Sequence, residues 1–137
     1  MNKAEDLVQV IQDISKKLRN IKEEEIKSIE LNDFSINSFK YIEEIHNLKS
    51  PTFIELANKL GYSKPTVTLM VANLIKKGYV TKTNSEHDKR VYYLSLTAKG
   101  EEVITSYKNI YIKFIDQVSK RFNEEEMNTL ITLLKRM

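Results

Sequence analysis

The chain of 137 residues has no cysteine, three glycines, two prolines and two histidines. Without cysteine it has no disulfide, no thiolate metal site and no thiol switch, which is compatible with a reducing compartment, so the cytoplasm is the expected location. It also lacks any run of about 18 apolar residues, so no membrane partner is expected. The opening MNKAEDLVQV is acidic and amphipathic, unlike a signal peptide. So few breakers leave little room for linkers, and four long periodic segments point to a mostly helical protein with no internal repeat. Chemistry has little to stand on. There is no Gly-rich phosphate loop and no HExxH. His46 beside Glu43 and Glu44 lacks further ligands on one face, and His87 sits in a polar loop. Neither is a place for a shielded Ser-His-Asp arrangement, so no catalytic residue, cofactor or metal is expected.

What is there is unevenly charged. The whole chain carries a formal +3, but from Pro51 to Gly100 eight basic residues face three acidic ones, a net +5 that leaves −2 for the flanks. A polyanion should therefore meet the middle of the chain, although an ordinary solvated surface can carry such an excess.

That middle stretch has its own grammar. Phe53, Leu56, Ala57 and Leu60 recur at helical spacing, and Gly61 can then leave the helix with positive φ. Ser63 is an N-cap candidate with Pro65 in the first turn, followed by Val67, Val71, Leu74 and Ile75 as the inward face and a stop at Gly78. Two short helices across a tight turn make a helix-turn-helix. Tyr79–Thr83 and Val91–Leu96 are rich in β-branched and aromatic residues, so they read as a hairpin around the polar tip NSEHDK, and Thr97 restarts a helix as N-cap. The whole is a winged helix.

The flanks are long and amphipathic. From about Ala4 to Leu31, Leu7, Ile11, Ile14, Leu18 and Ile21 form a seam; Glu23, Glu24 and Glu25 interrupt it, and Ile26, Ile29 and Leu31 resume a face. Such a seam serves packing within a subunit as well as between subunits. Asn32 and Asp33 mark a turn, Ser35 or Asn37 can cap the next helix, and Phe39, Ile42, Ile45 and Leu48 form its stripe. From Ala98 to Phe122 a stripe including Val103, Tyr107, Ile110, Tyr111, Phe114 and Val118 is wide enough for two partners. Asn123 and Glu126 then open a last helix that shows Met127, Leu130, Ile131 and Leu134, apolar enough to suggest burial against another subunit.

In a recognition helix the N-terminal end enters the major groove. Lys64, Thr66 and Thr68 are placed for that, Pro65 and Leu69 offer apolar contact, and Asn73 can reach a base edge or a phosphate further along. Ser63 can cap the helix, donate to a phosphate, or both. In the wing, Arg90 has the reach for a narrow A·T minor groove, Asp88 could brace it, and Lys82, Lys89 and His87 would meet phosphates. A solvated turn with an incidental ion pair is the plainer alternative.

The ordered set LANKLGYSKPTVTLMVANLIKKGYV and HDKRVYYLSLTAKG closely resembles the MarR family of bacterial transcription regulators. The matching pieces are S-x-P-T-V-T, L-x-x-K-G-Y-V, D-x-R and S-L-T-x-x-G, spread over about fifty residues. The resemblance implies a mainly α fold with a small β-wing: one domain over 1–137, with a winged-helix DNA-binding part at about 35–97 and dimerisation helices at 1–31 and 98–137. It also implies a homodimer on double-stranded DNA, with Asp88 and Arg90 as the wing-tip pair, and a small lipophilic or anionic effector between the dimer region and the wings. Phe39, Tyr107 and Tyr111 could line that pocket, though tyrosines at helical spacing also serve a core. The chain departs from the family at Leu69, where Arg is frequent, and at Ala72, where an acidic residue is common. That removes a guanine reader and leaves a methyl-rich surface, so an A·T-rich inverted repeat is expected, with Lys64 able to read one G·C pair per half-site. The expected activity is repression. The alternatives are a DNA binder without effector, or a winged helix used for protein contacts.

Overall fold

Capping side chains set the helix starts. The computed structural model describes residues 2–28 and 35–137, with α1 Lys3–Ser28, α2 Ile36–Leu48, α3 Phe53–Leu60, α4 Lys64–Lys76, β1 Val80–Asn84, β2 Tyr92–Leu96, α5 Ala98–Ser119 and α6 Glu124–Leu134. Ser35, Thr52, Ser63 and Asn123 each accept a hydrogen bond from the backbone N–H three residues on. The turn expected at Asn32 and Asp33, and the apolar positions Ile29 and Leu31, lie outside the described residues. The chain forms two compact units, one of residues 31–106 and one of residues 1–30 with 107–137, the division falling within α5.

In the first unit α2, α3 and α4 pack with one another and against a two-stranded antiparallel ribbon. Its core is Tyr41, Ile42, Ile45, Leu56, Val67, Val71, Leu74, Val80, Leu94 and Val103. Each aliphatic side chain so buried contributes about 1.5–3 kcal/mol. The α2 stripe is rotated from the sequence expectation: Ser38, Tyr41, Ile42 and Ile45 are buried, while Phe39 and Leu48 are half-buried. Tyr41 joins that face although its side chain ends in a hydroxyl. The Tyr41 hydroxyl is buried with no hydrogen-bond partner among the described residues, the ring lies 6.0 Å from that of Tyr62, and burial, then Tyr62, pushes its pKa up.

Between α2 and α3 the chain makes an unforeseen detour. Lys49 and Ser50 take left-handed φ values of 53° and 63°, at about 1–2 kcal/mol each for non-glycine residues. The detour lays Pro51 and Thr52 beside β2: Leu94 N–H donates to the Pro51 carbonyl at 2.8 Å, and Thr52 bridges Tyr93.

α4 ends as a Schellman motif. Tyr79 N–H reaches the Leu74 carbonyl at 2.9 Å, Gly78 N–H reaches Ile75 at 3.0 Å, and Gly78 has φ +86°. Tyr79 is therefore part of the helix stop, and β1 starts one residue later than the sequence suggests. Val80 pairs with Leu96 and Asn84 with Tyr92. Thr97 then joins the helix stop to α5. Its hydroxyl donates to the Gly78 carbonyl at 2.6 Å and accepts from Gly100 N–H at 3.1 Å, while its own N–H donates to the Tyr79 carbonyl at 3.0 Å. Lys99 donates to the Lys77 carbonyl at 2.8 Å.

In the second unit Ile21 and Ile110 are buried, and so is Glu25, which forms an ion pair with Lys113 of α5. Glu25 therefore does not break the α1 seam; it continues it, four residues after Ile21, with its charge matched. α5 stops at Ser119, three residues before the expected Phe122, and an Asn123–Glu126 capping box starts α6.

At Gly100 an added Cβ would lie 2.3 Å from the Tyr79 carbonyl oxygen. Gly→Ala in a helix normally stabilises, by about 1 kcal/mol. Gly100→Ala should instead destabilise by about 1–3 kcal/mol, as overpacking does. Urea unfolding of parent and variant measures the sign, and a more stable variant would contradict the close contact.

Candidate nucleic-acid interface

Three turns of α4 bury Val67, Val71 and Leu74 on one side, which turns Pro65, Thr68, Leu69, Ala72 and Asn73 to the other. All five are exposed, Leu69 to 76%. At the helix start Ser63 Oγ accepts from Thr66 N–H at 3.3 Å and lies 2.8 Å from Thr66 Oγ1, with Lys64 exposed beside them. Thr68 differs from the sequence expectation of a free polar reader. Its hydroxyl donates to the Lys64 carbonyl at 2.8 Å, so it offers outward an acceptor and a methyl group.

The wing tip is internally bonded. Ser85 Oγ accepts from His87 N–H at 3.2 Å and Asp88 N–H at 3.4 Å, and the Asn84 amide donates to the Lys89 carbonyl at 3.0 Å. Asp88 Oδ1 accepts from Arg90 N–H at 3.0 Å and Nε at 3.2 Å, and Oδ2 from Nη2 at 3.3 Å. The brace expected from sequence is thus present, while the Arg90 side chain stays 91% exposed. Arg90's side chain first, and its N–H second, hold the Asp88 carboxyl below the usual carboxylate range. His87 and Lys89 are exposed on the same tip.

Between the α4 start and the wing lies an open cleft of about 270 Å³, lined among others by Phe53, Lys64, Thr68, Lys82, Arg90 and Tyr92 and by no carboxylate. Lys82 Nζ sits 4.7 Å from the centre of the Tyr92 ring. Sequence reasoning missed Thr52 and Phe53 at the α3 start, and Tyr92. Thr52-x-x-Glu55 was readable as a capping box, while the place of Tyr92 depends on strand register.

The residues expected at an effector pocket fall in different units. Phe39 is on α2 of the first, Tyr107 and Tyr111 on the α5 portion of the second. There the two tyrosines, Leu18, Arg19, Lys22 and Ile110 line an open cleft of about 400 Å³. Lys22 Nζ stands 5.7 Å from the Tyr107 ring centre, and burial, then Tyr111, pushes the Tyr107 hydroxyl pKa up. His46 is exposed, with Nδ1 3.2 Å from Glu101 Oε2.

Because its folded pKa is depressed, Asp88 adds to wing order above its ordinary titration range and loses that contribution as pH falls through the folded value. In an NMR titration the Asp88 carboxyl should have its midpoint below the ordinary ~3.9, and Arg90→Ala should raise it. A midpoint unmoved by that substitution would mean the pair is not formed in solution.

The sequence model of the MarR family matches residues 34–92. The HTH-type transcriptional regulator BilQ of Clostridioides difficile is 28% identical over 91 residues, 66% of this chain and 62% of that protein. The HTH-type transcriptional repressor YetL of Bacillus subtilis is 27% identical over 124 residues, 89% of this chain and 72% of that one. The chain thus spans 62% of the length of BilQ and 72% of that of YetL. The crystal structure of Streptococcus pneumoniae FabT in complex with DNA is similar in fold, with a TM-score of 0.72 and 25% identity, covering 98% of this chain and 94% of FabT. With the helix-turn-helix, the wing and the D-x-R pair in place, residues 34–92 match the MarR family, and the chain is similar to winged-helix transcriptional regulators.

Proposed function

We propose that this chain is a homodimeric repressor that binds an A·T-rich inverted repeat in double-stranded DNA and is released by a small amphiphilic anion. The observation that carries the reading is the exposed Arg90, braced by Asp88, beside a carboxylate-free cationic cleft and the exposed outer face of α4. Arg90 would enter a narrow minor groove while Lys64, Pro65, Thr66 and Thr68 face the major groove and Ser63, Lys82, Lys89 and His87 meet phosphates. Leu69, the Thr68 methyl and Ala72 complement thymine methyls, and no Arg stands on α4 to read guanine. A relative named as a repressor and a similar structure in complex with DNA support the same reading.

The dimer is supported by apolar surface that one copy leaves open: Leu7 is 62% exposed, Tyr111 62% and Leu134 56%, with Val10, Ile11, Ile115 and Ile131 also exposed. Monomers rarely leave so much of this kind in water. In this reading residues 35–97 bind DNA and residues 1–31 and 98–137 dimerise, in the cytoplasm. For the effector, Arg19 and Lys22 beside Tyr107 and Tyr111 suit an anionic head on an apolar body.

Selection from a random duplex library should return A·T-rich half-sites about one helical turn apart, ~10–10.5 bp centre to centre. On such a site Arg90→Ala should lose about 1–3 kcal/mol and Asp88→Ala less. Recovery of G·C-rich or unrepeated sites would overturn the reading of α4, and binding to protein but to no duplex would favour a protein-contact module. Removal of residues after Phe122 should give a monomer or an aggregate by light scattering; a well-behaved dimer without α6 would contradict the dimer assignment.

A further inference from the structure

We propose that the cleft between α4 and the wing seats one DNA backbone phosphate, and that Tyr92 is a positioning residue that holds the Lys82 ammonium over that seat. The inference rests on the DNA-binding reading and adds to it a defined contact and a residue outside the recognition helix and the wing tip.

Strand register makes the arrangement. Lys82 pairs with Leu94 and Asn84 with Tyr92, so Lys82 and Tyr92 are diagonal neighbours on one face of the ribbon. That face is the inward one, since Val80 and Leu94 on it are buried. A lysine on such a face must run its stem along apolar surface to bring its ammonium to water. The Tyr92 ring supplies that surface, with the ammonium 4.7 Å from its centre. A lysine confined before binding loses less conformational freedom when it meets its anion.

The cleft suits one phosphate in charge as well. Lys64 from the α4 start, Lys82 from β1 and Arg90 from the wing tip line it together, with no carboxylate among the lining side chains. Arg90 is partly neutralised by Asp88, whereas Lys64 and Lys82 have no ion pair among the described residues. Like charges brought into one cleft repel one another, and a phosphodiester between them reverses the sign of that term. The contact straddles the two elements expected in adjacent grooves, so it fixes register on the duplex and carries no sequence information.

Fluorescence anisotropy against an A·T-rich and a mixed-sequence duplex, across a range of salt, tests this. Lys82→Ala should weaken both duplexes alike and lower the salt slope by about 0.9. Tyr92→Phe, which keeps the π face, should bind like the parent. Tyr92→Leu should bind about two- to fivefold more weakly, the size of an exposed cation–π contact, and should cost nothing further in a Lys82→Ala background. Parent binding with a slope unchanged by Lys82→Ala would overturn the phosphate seat alone, and additive losses, or equal losses in Tyr92→Phe and Tyr92→Leu, would overturn the positioning role. No salt-dependent binding by the parent would overturn the DNA reading and this inference together. Lys82 is exposed, so its variant reads the slope even if Tyr92→Leu folds poorly.

Discussion

The Tyr79 carbonyl is the point on which the first unit turns. It accepts from the N–H of Thr97 at the ribbon's return and lies where only a glycine at position 100 leaves room, while the N–H of the same residue closes the helix stop of α4. Through Thr97, which also bonds Gly78 and Gly100, one small cluster ties the end of α4, the start of β1, the end of β2 and the first turn of α5. Each bond is individually modest, about 0.5–1.5 kcal/mol. Their shared geometry gives the wing one position relative to α4, and so defines the distance between Arg90 and the outer face of that helix.

That rigidity explains why the polar surface is pre-arranged. The wing tip is held by Ser85, Asn84 and the Asp88–Arg90 pair, the α4 start by Ser63 and Thr66, and Lys82 by an aromatic ring. A surface whose side chains are ordered before contact gives up less entropy on binding. The cationic groups come from α4, β1 and the wing tip, so their convergence is a property of the fold and not of any single segment.

The helix-turn-helix and wing were legible because their signals are local: a cap at Ser63, a stop at Gly78, alternating β-branched residues, a polar tip. The D-x-R brace was legible for the same reason, both partners lying two residues apart. Three features were not, because each depends on a long-range neighbour. Glu25 looked like an interruption until Lys113, 88 residues away, is placed beside it. The strained pair Lys49–Ser50 has meaning only through β2, which Pro51 joins. Tyr92 gains its place beside Lys82 from strand register. The back-bond of Thr68 was hidden for a local reason: a helical threonine can bond to the carbonyl four residues earlier, and residue type alone does not reveal whether it does.

The central claim is that the outer face of α4 and the wing meet DNA together as one surface. Amide NMR spectra recorded while an A·T-rich duplex is titrated into the isotope-labelled protein address it directly. The account predicts the largest shifts at Ser63–Asn73 and Lys82–Tyr92, growing in parallel at the same DNA ratio. Shifts confined to one of these segments, or centred on surfaces remote from both, would contradict it.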